Sequence, residues 1–177
     1  MTDDDTVGSP PLRDDRSDAV LSPDREYRYR LSRTWDAEKE TLGFIMLNPS
    51  TADESESDPT IRRCLGYAKD WGYGSILVGN LFSLRATDPS ELREHRNLIG
   101  PQNDEHLRLI TTEAEMVVAA WGKKGALNGR GPEVAEMLDV DLYALNTTKD
   151  GHPNHPLYQP ADAEPEPFDY RREGVDG

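Results

Sequence analysis

Four apolar segments of the sequence are followed by residues whose side chains could take part in chemistry. Amide, hydroxyl, imidazole and cationic groups hydrogen-bond the edges of a polar molecule, and aromatic rings pack against its faces. If the four segments are neighbouring strands, these groups meet and predict a pocket for a polar small molecule or a base. The candidate residues are Asn48, Pro49, Ser50, Asn80, Phe82, Arg85, Trp121, Lys123 and His155.

The period of the apolar residues predicts the elements that position these candidates. Residues 26–33 alternate between apolar and polar types, which is typical of a half-exposed strand at the edge of a sheet. Short continuous apolar runs predict strands buried on both faces, and apolar residues at helical spacing predict helices between them. The predicted buried strands are 41–47, 75–78, 115–121 and 141–145, and the predicted helices begin at Asp58-Pro59, near Pro101 and at Pro132.

The alternation of buried strands and helices predicts the fold class. Right-handed strand–helix–strand crossovers produce parallel neighbours with helices on both faces. We therefore expect an α/β fold, a three-layer α/β/α sandwich with a mainly parallel four- to five-stranded sheet. Ligands of such sheets bind outside the carboxyl ends of the strands, where the candidate residues are predicted to lie.

The two ends of the 177-residue chain differ in composition from its middle. Residues 1–25 are rich in Asp, Ser and Pro, and residues 160–177 are rich in Pro, Glu and Asp. Such segments bury too little apolar surface to offset the entropy lost on ordering. We predict two disordered acidic tails around one domain at 26–159, a normal size for a single domain.

The net charge of −14 has two interpretations. A negative surface opposes binding of nucleic acid, whose phosphates require clustered Lys and Arg. An acidic, Lys-poor composition is also typical of halophilic proteins. In molar salt, charges are screened beyond about 3 Å, so a negative surface there does not exclude nucleic acid as a partner. The lone Cys64, the acidic N-terminal segment and the lack of a long apolar run predict a cytoplasmic protein that does not bind membranes.

Several familiar kinds of site are missing from the sequence. It has neither a G-x-x-x-x-G-K-[ST] phosphate loop nor a G-x-G-x-x-G turn, and Cys64 lies inside a predicted helix. His152 and His155 have H-x-x-H spacing, but no Cys or carboxylate cluster beside them completes a zinc site. The acidic residues of 53–58 either bind Mg²⁺ or form the loop that caps the next helix. We expect no cofactor and no metal.

Each candidate also has a purely structural interpretation. Asn and Pro form turns, a strand-end Asn caps backbone groups, and an Arg on an acidic surface pairs with a carboxylate. Trp is more often part of a core than of a binding surface, and loop lysines are commonly solvated. Asn48-Pro49 would then be a turn, Asn80 a cap of backbone groups and Arg85 the partner of a carboxylate. Trp121 would belong to the core and Lys123 to a solvated loop, and His155 has a structural alternative as well. His95 and His106 are expected at the surface.

A set of short motifs resembles the family of unknown function called DUF1643. The resemblance covers about residues 26–160 and supports the predicted domain limits, but it implies no particular activity. The motifs are LNPSTAD (47–53), DPTIRRC (58–64), WGYG (71–74), NLFSLRATDP (80–89), IGPQND (99–104), AWG (120–122) and HPLY (155–158).

The order of three of these motifs also resembles the uracil-DNA glycosylase superfamily, which has a parallel α/β/α fold. That resemblance implies that Asn48 positions the attacking water, Asn80 reads the edge of the base, and His155 stabilises the leaving base. Phe82 would be the ring that stacks on the flipped base.

The sequence departs from the glycosylase pattern at several positions. Ser50 replaces a Gly, which restricts close backbone approach to a ligand. The Ser-Pro of the family's H-P-S-P loop is lost in His155-Pro156-Leu157-Tyr158, so its contact with a DNA phosphate is in doubt. The chain also has no set of cysteines for an iron–sulfur cluster.

The sequence leaves three hypotheses for function. The first is glycosylase-like hydrolysis of an N-glycosidic bond, in DNA or in a nucleotide, by the catalytic residues Asn48 and His155, with Arg85 or Lys123 meeting a phosphate. The second is a non-catalytic module that binds a nucleotide or another small ligand at the same place. The third is an interaction protein that acts through its acidic tails.

Overall fold

The computed structural model describes residues 16–49, 59–85, 98–138 and 140–169. Its strands are β1 Arg16–Leu21, β2 Arg28–Thr34, β3 Thr41–Met46, β4 Ser75–Asn80, β5 Met116–Ala119, β6 Leu142–Ala144 and β7 Glu166–Phe168. Its α-helices are α1 Pro59–Asp70, α2 Asn103–Glu113 and α3 Arg130–Leu138, and two 3₁₀ segments cover Lys123–Gly129 and Pro156–Tyr158. The predicted α/β class is confirmed.

Within the described residues the strands form one seven-stranded sheet in the order β1-β2-β4-β3-β5-β6-β7. The neighbours β4, β3, β5 and β6 run parallel, and they correspond to the four apolar runs of the sequence. The pairings of β1 with β2, β2 with β4, and β6 with β7 are antiparallel. The sheet is therefore mixed, with a parallel centre and antiparallel margins.

The observed sheet is larger and more mixed than the predicted mainly parallel sheet of four to five strands. β1 and β7 lie inside the segments 1–25 and 160–177, outside the predicted domain at 26–159. β1 pairs with the outer side of β2, so β2 is not the edge strand of the sheet that was predicted. β1 has three apolar residues after three polar ones, and β7 has only three residues, so neither has the long apolar run that reveals a buried strand.

A hydrophobic cluster lies on each face of the central strands. On one face Phe44 of β3 belongs to a cluster with Ile61 and Cys64 of α1. On the other face Ile45 of β3 belongs to a cluster with Ile110 of α2 and with residues of α3. Consecutive residues of a central strand thus pack into the clusters on opposite faces of the sheet. This explains why the sequences of these strands are continuous apolar runs.

Local signals explain where the helices begin and end. Pro59 is the first residue of α1, a position that needs no backbone N–H, while its predicted cap Asp58 lies outside the described residues. Gly72, with a φ of 88°, follows the last turn of α1 and permits the left-handed conformation there. α2 begins at Asn103, close to the start predicted near Pro101.

His106 on α2 is half-buried rather than a surface residue. Its ring stacks on that of Tyr29 with centroids 5.0 Å apart and planes 10° apart. Burial lowers the pKa of His106, and the nearby charge of Arg30 lowers it further, against an opposing effect of Glu105. The prediction failed because the helical pattern does not reveal that the long side chain of Tyr29 reaches this position.

Replacing His106 by Phe tests this environment, because Phe retains a ring for the stack on Tyr29 and does not titrate. In the unfolded chain His106 has its ordinary pKa of about 6.5, whereas in the folded chain its pKa is lower. Below about pH 6.5 the unfolded chain therefore binds more protons at His106, and the wild type loses stability. We therefore expect the free energy of unfolding of His106→Phe, measured with urea, to rise relative to that of the wild type as the pH falls from about 7.5 to about 5. A stability difference that does not change with pH would contradict the lowered pKa.

Candidate functional site

The carboxyl ends of the parallel strands form one edge of the sheet. Leu81 N donates to Met46 O at 2.9 Å and Phe82 N donates to Leu47 O at 3.0 Å, so β3 and β4 stay paired up to the residues that leave them. Ala120 N donates to Ile45 O at 2.9 Å on the other side of β3. The segments that begin at Asn48, Asn80 and Trp121 therefore leave the sheet side by side. We call the space outside these strand ends the crevice.

Asn80 ends β4 with a side chain that is almost wholly buried. The residue is 2% exposed, and within the described part of the chain its side-chain amide makes no hydrogen bond. Because side chains alternate along a strand, Asn80 lies on the same face of the sheet as Ile76 and Val78, the face covered by α1. Neither polar atom of this amide is among the fully buried side-chain atoms that lack a partner, so the amide can still meet a ligand or a water from the crevice.

The backbone carbonyls at the end of β4, in contrast, are fully engaged. Asn103 Nδ2 donates to Asn80 O at 2.8 Å and lies 3.2 Å from Leu81 O, and Arg130 Nε donates to Leu81 O at 2.9 Å. Arg130 is 2% exposed. Its two other nitrogens meet Asp104 at 2.6 Å and Glu133 at 3.0 Å. These contacts fix the backbone that carries the Asn80 side chain.

Asn103 and Arg130 are site-supporting residues that sequence reasoning missed. Each stands at the first residue of its helix, where polar residues are ordinary. Glu133, three residues after Arg130, is a sequence signal for a local ion pair. Nothing in the sequence indicates that this pair is buried beneath the end of a strand far away in the chain.

His155 is brought to the crevice by a loop that is attached to the strand ends. Gly122 N, just after β5, donates to Pro153 O at 2.8 Å, and Asn154 N donates to Asn146 O at 2.9 Å after β6. A Cβ atom on Gly122 would lie only 3.8 Å from the Cβ atom of His155. His155 therefore lies beside the end of β5, next to the strand that Asn48 follows.

The imidazole of His155 has a defined tautomer. Its Nδ1 accepts a hydrogen bond from Leu157 N at 3.2 Å, so in the neutral ring the hydrogen is carried by Nε2. The ring also contacts Tyr158 with centroids 5.6 Å apart. His155 is half-buried and takes part in a further interaction.

Asn48 and its neighbours occupy the end of β3. Asn48 is half-buried and its Nδ2 donates to Pro49 O at 3.0 Å, while Pro49 is buried. Asn48 also takes part in a further interaction. Ser50 lies outside the described residues, as do the acidic residues of 53–58 and His95.

The predicted aromatic residues of the site belong to the core. Phe82 and Trp121 are each 1% exposed, and the Trp121 ring meets the Phe168 ring edge-on at 6.1 Å. Both residues belong to the same hydrophobic cluster. Arg85 donates to Arg25 O at 3.2 Å, and Lys123 is exposed at the start of a 3₁₀ segment.

Neither a cluster of metal-binding side chains nor a membrane-spanning helix occurs among the described residues. Among them, no group of three or more His, Cys, Asp or Glu residues is placed to hold a metal ion. None of the helices described is long and apolar enough to cross a membrane.

The relationship of the chain to known proteins rests on one match. Residues 28–157 match the family described as a protein of unknown function, DUF1643. The chain belongs to the DUF1643 family. The match includes Asn48, Asn80 and His155, whereas β1 and β7 lie outside it. Comparison with curated proteins and with solved structures finds no match, so the resemblance to uracil-DNA glycosylases gains no support from them.

Gly122 offers a direct test of how this DUF1643 site is assembled. Its φ of 75° lies in the region that favours glycine. We expect Gly122→Ala to lower the free energy of unfolding by about 1–3 kcal/mol because the new side chain strains the backbone that holds the His155 loop. Urea unfolding measures this change. Gly66→Ala is the control, because Gly66 is helical and nothing lies within 4 Å of its added Cβ. Equal stability of Gly122→Ala and the wild type would contradict the assigned backbone.

Proposed function

We propose that the crevice binds the base of a nucleobase-containing ligand, within DNA or in a nucleotide, and that the chain hydrolyses its N-glycosidic bond. The observation that supports the proposal best is the side-chain amide of Asn80. It is 2% exposed, it stands at the carboxyl end of a central strand, and no described residue hydrogen-bonds it.

The chemistry of an amide suits recognition of a base edge. A carboxamide carries two donors on nitrogen and an acceptor on oxygen in one plane, so it pairs with the adjacent donor and acceptor of a base. The backbone of Asn80 is held by Asn103, so the amide is carried on a fixed support. A fixed amide selects against a ligand that lacks the matching groups, because binding that ligand leaves the donors and the acceptor of the amide unpaired.

Hydrolysis assigns different roles to Asn48 and His155. Asn48 orients a water, whose oxygen bonds to the anomeric carbon while the bond from that carbon to the base nitrogen breaks. The electron pair of that bond goes to the base, and the Nε2–H of His155 hydrogen-bonds the negative charge that develops there. The proton released by the water ends on the departed base, so the products are the free base and the hydroxylated sugar.

One observation favours binding without turnover as the second candidate function. Among the described residues that directly follow the four parallel strands there are amides, an indole and a lysine, but no carboxylate to take a proton from water. A module that kept the Asn80 amide and lacked a general base would bind the same ligand and leave it intact.

Thermal-shift assays with free bases, nucleosides, nucleotides and short uracil- or hypoxanthine-containing oligonucleotides test the proposal. In the same wells, released base and abasic sites are measured. We expect one class of base to raise the melting temperature by several degrees. We expect Asn80→Ala to abolish that shift because the base edge loses its partner. Asn48→Ala and His155→Ala are expected to retain binding and to lower base release by at least about 100-fold.

The control is Asn146→Ala, which removes an exposed amide after β6, at the same edge of the sheet. It should leave both readouts unchanged. A thermal shift without base release identifies the binding module. No shift with any base, or full activity in folded Asn48→Ala and His155→Ala, contradicts the proposed hydrolase.

A further inference from the structure

An open groove of about 380 Å³ lies between α1 and the segment that follows His155. Arg62, Arg63, Gly66 and Asp70 line it from α1, and Leu157 and Ala161 line it from the other side. We call it the α1 groove. Nothing lies within 4 Å of a Cβ placed on Gly66, so the floor of the groove is open at that turn.

The far wall of the α1 groove is attached firmly to the helix. Arg63 Nη1 donates to Gln159 O at 2.5 Å, and the Tyr67 hydroxyl donates to Pro160 O at 2.7 Å. Tyr67 is 1% exposed, so its hydroxyl is held by the core beneath it. The groove is thus shaped before any ligand arrives, which lowers the cost of ordering on binding.

The charges along the groove are segregated. Arg62 and Arg63 stand at one end, and Asp70 stands about 10–12 Å away along the helix axis, at 1.5 Å per residue. Arg63 is half-buried, and among the described residues nothing hydrogen-bonds its Nε or Nη2. Arg62 takes part in a further interaction, so Arg63 is the group that we assign to an anion. Its guanidinium fork fits the oxygens of a phosphate, in a chain whose net charge is −14.

The cationic end of the α1 groove lies near the crevice. α1 follows β3 in the chain, so its first turns, with Arg62 and Arg63, lie toward the sheet edge where Asn48 lies. Leu157 in the groove wall is two residues from His155, and its N–H donates to the His155 ring. A ligand with its base at Asn80 can therefore extend an anionic group toward Arg63.

We infer that the cationic end of the α1 groove binds the phosphate of the ligand whose base enters the crevice. This inference rests on the proposed function and narrows its substrate to a phosphorylated nucleoside, free or within a strand. It replaces Arg85 and Lys123, the cations that the sequence suggested for the phosphate. Asp70 repels a phosphate at the other end of the groove and so favours a single placement.

Titration calorimetry with three probes separates the groove from the crevice. The probes are a nucleoside, its 5′-monophosphate and pyrophosphate, which carries no base. We expect Arg63→Gln to weaken binding of the monophosphate and of pyrophosphate at least about tenfold, the loss typical of a charged hydrogen bond, and to leave the nucleoside unchanged. Arg108→Gln is the matched control, because Arg108 is an exposed arginine on α2.

Gly66→Leu tests the same groove without removing a charge. Leucine favours a helix more than glycine does, so we expect the melting temperature not to fall, while the added side chain fills the groove floor and weakens pyrophosphate binding. A variant that is stable and binds the nucleoside but not pyrophosphate cannot be explained by misfolding.

The possible results discriminate between the two proposals. If the nucleoside binds and Arg63→Gln binds both phosphate probes as well as the wild type does, the groove inference is overturned and the proposed function stands. If pyrophosphate binding depends on Arg63 while no nucleoside binds, the proposed function fails and the groove remains a phosphate site. Tighter binding of a single-stranded oligonucleotide than of the monophosphate, lost again in Arg63→Gln, identifies a strand as the source of the phosphate.

Discussion

The parallel pairing of β4, β3, β5 and β6 is the constraint on which the rest of the structure depends. Parallel neighbours need a crossover, so helices must cover both faces, and four carboxyl ends must open at one edge. The backbone groups at that edge need partners outside the sheet. The chain supplies them with Asn103 and Arg130 for the carbonyls after β4, and with Pro153 for the N–H after β5. The partners that complete the sheet therefore also shape the crevice.

The polar side chains at this edge differ in how fully the described residues satisfy their hydrogen bonds. Arg130 is buried and pairs with two carboxylates as well as with a carbonyl, so its charge is compensated. Asn80 is equally buried, yet its side-chain amide is unpaired among the described residues. The described residues thus compensate the charge of Arg130 and leave the amide of Asn80 able to accept a partner from outside the chain.

The sequence was sufficient for the central elements, and it failed where a contact depends on distant residues. Strands such as 41–47 are buried on both faces, and this requirement appears directly as an apolar run. β1 and β7 are largely exposed and have no long apolar run, so no local pattern predicts them as strands. At the site, the strand-end position of Asn80 followed from the apolar run before it. The burial of Trp121 depends on Phe168, and the role of Arg130 depends on Leu81, which lies 49 residues earlier.

The most direct test of the account is the side-chain amide signal of Asn80 in a ¹⁵N–¹H spectrum, followed as a nucleoside that stabilises the protein is added. Asn103 is the internal reference, because its Nδ2 already donates to Asn80 O and Leu81 O. We predict a large shift of the Asn80 signal on binding and a small shift of the Asn103 signal. An Asn80 signal that stays in place while others move would show that the ligand binds elsewhere and that the unpaired amide is not the recognition group.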